Sequence, residues 1–246
     1  MSKEKFKYNF ESAKKEMEEL IINKLVNYIR DGNKPNNINS SHYMRFYDIT
    51  YKFAEKGFGE DFLNYHNSIV KELVNECYEK IKNLTGFDFI DSFILYTERI
   101  YALFYYMSKS FKYISENHLK GAEEGNNVRK YIEDDVSEFS MVIYKDNFLN
   151  KLEPKLFANL NEPQIQEEIN SNLECRKKII RIIRIIFDME IIKPKIIKKD
   201  DTSFGWIENV YYYNNNYAPS ERLKKYEDFC KKIGLDLENI EKINII

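Results

Sequence analysis

The stretch NFESAKKEMEELIINKLVNYIR, Asn9 to Arg30, decides the fold class. Phe10, Met17, Leu20, Ile21, Leu25, Tyr28 and Ile29 return at three- and four-residue steps, which places them on one face of a helix, with charged residues on the other. The same period continues along most of the chain. DGNKPNNINSS, Asp31 to Ser41, is a loop by composition. Ser41 is the expected N-cap of a helix through Lys56 that Gly57 ends. A helix follows from Glu60 to Leu84, with Phe62, Leu63, Ile69, Leu73, Val74, Cys77 and Ile81 inward, and Thr85-Gly86 interrupts it. Asp88 to Leu119 reads as two helices meeting near Tyr105 to Ser110. Further helices are expected at Val128 to Leu149, Pro163 to Ile192 and Ser220 to Ile233. A strand is suggested only weakly, at Lys195 to Lys198.

Composition agrees with long helices. Among 246 residues there are 8 Gly and 5 Pro but 19 Tyr and 17 Phe, so turn formers are few. Hydrophobic residues at 43% exclude a disordered chain, and a formal net charge of −2 gives no overall pull toward nucleic acid. Three separated cysteines, Cys77, Cys175 and Cys230, build neither a disulfide framework nor a paired metal motif. No stretch is apolar enough to span a membrane, and the charged N-terminus does not read as a secretory signal, so a cytoplasmic or nuclear location is expected.

Catalytic signatures are not found. The chain has no phosphate-binding glycine loop, zinc-hydrolase helix motif or nucleophile elbow, and His42, His66 and His118 share no ligand spacing. The acids Glu133, Asp134, Asp135 and Glu138 read as a solvated helix face rather than a metal site. No cofactor and no enzymatic activity are expected. One basic edge, Arg176, Lys177, Lys178, Arg181 and Arg184, lies on an isoleucine-rich helix and reads first as the exposed border of a core helix.

A binding function is suggested by SHYMRFYDITYKF, Ser41 to Phe53. Tyr43, Phe46, Tyr47, Thr50 and Tyr51 follow i, i+3, i+4 steps with Met44 beside them, more aromatic surface than a short core helix needs. This segment resembles the second helix of the cullin N-terminal domain. YTERIYALFYYMSKSFKYISENHL (Tyr96 to Leu119) and VIYKDNFL (Val142 to Leu149) are similar to later motifs of that family, in the same order. The resemblance covers about Asn9 to Ile192; Glu116 and Asn117 depart from the Arg and His usual there.

The resemblance implies an all-α, elongated cullin-repeat-like bundle of long helices and short loops. Residues 1–150 would form a first repeat, and 151–246 the start of a second plus an aromatic-rich tail. It also implies a partner: a BTB/POZ-fold adaptor of the Skp or elongin-C type, within a ubiquitin ligase. The contacts would be Tyr43, Met44, Phe46 and Tyr47 on one helix and Tyr106, Met107, Tyr113 and Asn117 on another. The family's C-terminal half, which holds a RING subunit, has no counterpart in these 246 residues, so a complete chain of this length would act as a competitor for adaptors. The alternative expectation is an exocyst-like helical tether that uses the basic edge.

Overall fold

The computed structural model describes residues 3–33, 35, 37–112, 136–191 and 221–235. Among these about 90% are helical and none lies in a strand, so the fold is all-α. The order is α1 (Lys3–Met17), a π-helical turn (Glu18–Ile22), α2 (Asn23–Asp31), α3 (Ser40–Phe53), a second π turn (Ala54–Phe58) and α4 (Gly59–Ile81). Then come α5 (Gly86–Ser110), α6 (Val136–Tyr144), a third π turn (Lys145–Leu149), α7 (Asn150–Leu160), α8 (Pro163–Ser171), α9 (Leu173–Ile191) and α10 (Glu221–Lys232). The weak strand expected at Lys195 to Lys198 lies outside the described residues.

The chain forms two compact units, residues 1–80 with 96–151, and residues 81–95 with 152–246. The division expected at 150/151 did not include the passage of 81–95 into the second unit.

In the first unit α1, its π turn and α2 run on without a break in right-handed helical geometry. Gly32 ends the run at φ +78°, a conformation that a residue with a Cβ adopts only under strain, and its N–H donates to the Tyr28 carbonyl. Phe10, Met17, Ile21, Leu25 and Ile29 are buried, as the sequence period requires. The orphan carbonyls at the end of α2 are taken by cations from other helices. Arg99 Nη1 donates to the Ile29 carbonyl at 3.0 Å and Lys80 Nζ to the Arg30 carbonyl at 3.1 Å. Arg30 and Glu76 form a two-pronged ion pair, and Tyr65 Oη donates to Glu18 at 3.0 Å.

Two details differ from expectation here. Asn39 rather than Ser41 caps α3: its Oδ1 accepts the His42 N–H, while His42 Nδ1 accepts the Asn39 N–H. On α4 the buried residue is Val70, with Ile69 only half-buried. The aromatic run from Gly86 to Ser110 is one helix that ends at the edge of the Tyr105 to Ser110 stretch where two helices were expected to meet; the second, expected as far as Leu119, falls almost wholly outside the described residues. Ser108 and Ser110 donate their hydroxyls back to the Tyr105 and Tyr106 carbonyls, so neither serine competes with the helix.

In the second unit the Asn159 side chain accepts the Gly86 N–H at 2.6 Å, and Lys155 Nζ donates to the Lys82 carbonyl at 2.6 Å. The single helix expected from Pro163 is broken at Asn172. That residue ends α8 in extended geometry, and its Oδ1 then accepts the N–H groups of Glu174 and Cys175, starting α9. Helix α10 is held by Tyr226 and Phe229 against Phe157, with ring centroids 5.3 and 6.3 Å apart.

Candidate protein-binding face

Helix α3 sorts its aromatic stripe into two layers. Phe46, Ile49 and Thr50 point inward, and the Thr50 hydroxyl is satisfied by the Phe46 and Tyr47 carbonyls. Met44 is 64% exposed and Tyr51 46% exposed, while Tyr43 and Tyr47 are half-buried between the layers. Arg45 fixes the helix from outside by gripping Glu16 through two hydrogen bonds of 2.6 and 3.0 Å.

Helix α5 supplies the other half of the face. The rings of Phe46 and Phe111 meet edge to face at 5.0 Å beneath the surface. Above them Tyr43 lies near Tyr106 and Tyr105. Burial pushes the Tyr43 phenol up to about 12, and the neighbouring Tyr106 and Tyr105 hydroxyls push it in the same direction. Tyr28 on α2 is raised first by burial, with Arg99 opposing the shift and Glu98 and Tyr106 adding to it. At physiological pH the raised phenols of Tyr43 and Tyr28 are protonated.

Tyr105 is the residue that sequence reasoning passed over. It is 55% exposed, packs at 79° against Tyr106 with centroids 5.5 Å apart, and has Lys109 Nζ 4.1 Å from its ring centroid. Lys109 also donates to its hydroxyl, so the exposed ring is held from two sides. The available signal was its position: Tyr105 and Lys109 are four apart on the same helix face.

The residues expected from the resemblance therefore divide. Tyr43, Met44, Tyr47 and Tyr106 border one surface. Phe46 and Met107 do not: both are 0% exposed and pack the core behind it, which takes them out of reach of a partner in this arrangement. Tyr113 and Asn117 lie outside the described residues.

The basic edge of α9 is already in use. Arg176 donates to the Gly234 carbonyl at 2.6 Å, Lys178 pairs with Asp91 at 2.6 Å and Lys177 with Glu174 at 2.7 Å. A shallow hollow of about 260 Å³ beside it, lined by residues including Phe87, Ile90 and Cys175, has Asp91 and Glu174 on its wall, each neutralised by these lysines. No cluster of three or more His, Cys, Asp or Glu suited to a metal occurs among the described residues. Nor is any helix among them long and apolar enough to cross a membrane.

Compared with protein-family models, with curated proteins and with solved structures, the chain gives no match in any of the three. The likeness to cullins rests on its sequence motifs alone.

Proposed function

We propose that this chain is a protein-binding arm that docks a BTB/POZ-fold adaptor of the Skp or elongin-C type on the surface formed by Tyr43, Met44, Tyr47, Tyr105 and Tyr106. Its role in this reading is recognition within the ubiquitin pathway, not catalysis. The supporting observation is the meeting of α3 and α5: the two helices that carry the cullin-like motifs bring Tyr43 beside Tyr105 and Tyr106 and leave Met44 outermost.

Elementary chemistry favours such a surface for binding. Tyrosine brings a large apolar area at little entropic cost, and its hydroxyl reaches the polar rim. Methionine adapts to the shape of a partner. The half-buried rings lose little freedom on docking, since the packing of Tyr105 on Tyr106 and the Lys109 contact already hold them.

The test is binding of the purified chain to a panel of BTB-fold adaptors, by calorimetry or co-elution, with Tyr43→Ala/Met44→Ala alongside. Removing two anchors lowers affinity by about tenfold to a hundredfold, at about 1.4 kcal/mol per decade, while the far-ultraviolet circular dichroism stays that of the parent. A variant that keeps its helices and still binds as tightly as the parent would refute the assignment of the face.

A further inference from the structure

The sulfur atoms of this chain are distributed unevenly between core and surface. Met17, Met107 and Met189 are 0%, 0% and 1% exposed, and Met141 is half-buried. Met44 is 64% exposed and stands outermost on the tyrosine face. The three cysteines, ordinarily the first targets of an oxidant, are all buried. Their reactivity depends on the thiolate, which burial disfavours: it pushes the Cys77 thiol up to about 12 and the Cys230 thiol up to about 11. With the thiols buried, Met44 is the most exposed thioether among the described residues.

We propose that Met44 is an oxidation site of this protein, modified selectively by hydrogen peroxide or a related peroxide, and that its sulfoxide switches off docking on the surrounding face. The second half of the proposal rests on the protein-binding reading above. In the reaction the thioether sulfur attacks one peroxide oxygen, an S–O bond forms and the O–O bond breaks. Sulfur is oxidised by two electrons; the departing oxygen takes up the proton of the transferred one and leaves as water. No further reactant is needed. The product replaces a flexible apolar side chain with a polar sulfoxide that accepts hydrogen bonds strongly. Placed beside Tyr43 and Tyr47 on α3, it would have to be stripped of water under a partner that presents apolar surface. Because the buried methionines are spared, the change leaves the core intact, and reductases specific for the two sulfoxide epimers can reverse it.

Peptide mapping by mass spectrometry after timed exposure of the native chain to dilute hydrogen peroxide tests the site. Met44 sulfoxide is expected to accumulate at least about tenfold faster than sulfoxide at Met17, Met107 or Met189, a selectivity that disappears when the chain is unfolded in urea. Equal rates in the native chain overturn the proposal. Adaptor binding is then compared before and after oxidation, with Met44→Leu as a variant that keeps the apolar volume and has no sulfur to oxidise. Oxidised parent is expected to bind about tenfold or more weakly and to recover with methionine sulfoxide reductases, while the affinity of Met44→Leu, whatever its starting value, is the same before and after peroxide. Unchanged binding by fully oxidised chain overturns the switch. If untreated chain binds no adaptor, the docking reading and the switch fall together, and the peptide map alone decides whether Met44 is the oxidation site.

Discussion

Replacing Gly32 by alanine probes the join between the first helical run and α5 at a single point. Gly32 holds φ +78°, and a Cβ there overlaps the end of the Arg99 side chain, with Cζ 3.1 Å away and Nη2 closer still. Two losses follow. The left-handed backbone costs alanine about 1–2 kcal/mol. Arg99 must also swing aside, giving up its 3.0 Å hydrogen bond to the Ile29 carbonyl. That contact is half-exposed, so about 1 kcal/mol is the appropriate share of the range for charged donors. The single substitution therefore costs about 2–3 kcal/mol, or about 5–10 °C in Tm for a chain of this length. Arg99→Ala alone costs about 1–2 kcal/mol, including its stacking on Tyr96 at 5.4 Å. In the double variant the hydrogen bond can be lost only once. Urea or thermal unfolding followed by circular dichroism should then show a coupling of about 1 kcal/mol, the double variant being more stable than the sum of singles predicts. A Gly32→Ala protein within about 0.5 kcal/mol of the parent, or strict additivity in the double, would refute the argument.

Other substitutions separate the layers and charges of the first unit. Phe46→Ala should cost about 3–5 kcal/mol by emptying a fully buried site against Phe111, whereas Met44→Ala should change stability by no more than about 0.5 kcal/mol; similar losses from both would contradict the two-layer arrangement. The hydrogen bond from Arg30 holds the Glu76 carboxyl below its ordinary value, against a smaller opposing effect of partial burial. A depressed carboxyl stabilises the fold above its unfolded pKa and loses that contribution as pH falls through the folded one. Glu76→Gln should therefore be less stable at pH 7, by at most about 1 kcal/mol for so exposed a pair, and indistinguishable from the parent well below pH 4.5. A deficit that persists in acid would point to lost packing instead. Tyr144→Phe leaves the Thr97 hydroxyl without its 3.0 Å partner and should cost about 1–2 kcal/mol in chemical unfolding, since both groups are fully buried; a neutral effect would exclude that bond from the core's support.

The helical period was legible because the apolar residues that carry it are the ones the core uses: Phe10, Met17, Ile21, Leu25 and Ile29 are all buried. Phase was harder. On α4 the adjacent pair Ile69 and Val70 offers two equally apolar choices, and only packing selects Val70. Breaks that depend on a side chain bonding to backbone were missed. Asn172 looks like an ordinary polar residue in the sequence, yet its single oxygen serves two N–H groups and divides α8 from α9. Helix α7 was not foreseen, as Pro154 lies inside it; the proline sits early in that helix, just after the π turn at Lys145–Leu149. The cations that cap α2 could not be read either, because Lys80 and Arg99 reach it from 50 and 70 residues away.

The aromatic stripe of α3 shows why a periodic pattern alone cannot separate a binding face from a core. Every third or fourth residue from Tyr43 to Tyr51 qualifies on hydrophobicity, but the chemistry of the rings differs. Phenylalanine has nothing to lose in the core, and Phe46, Phe62, Phe111 and Phe148 are all fully buried in the first unit. A tyrosine there buries a hydroxyl as well, and Tyr144 pairs its own with Thr97. Tyr43, Tyr47 and Tyr106 are instead half-buried, and Tyr51 and Tyr105 are exposed. The stripe is therefore a phenylalanine layer that builds the unit and a tyrosine layer that borders water, with Met107 belonging to the first and Met44 to the second. A partner docking on α3 and α5 meets only the second layer. Substitutions there should act on affinity with little effect on stability, and substitutions in the layer beneath should act on both.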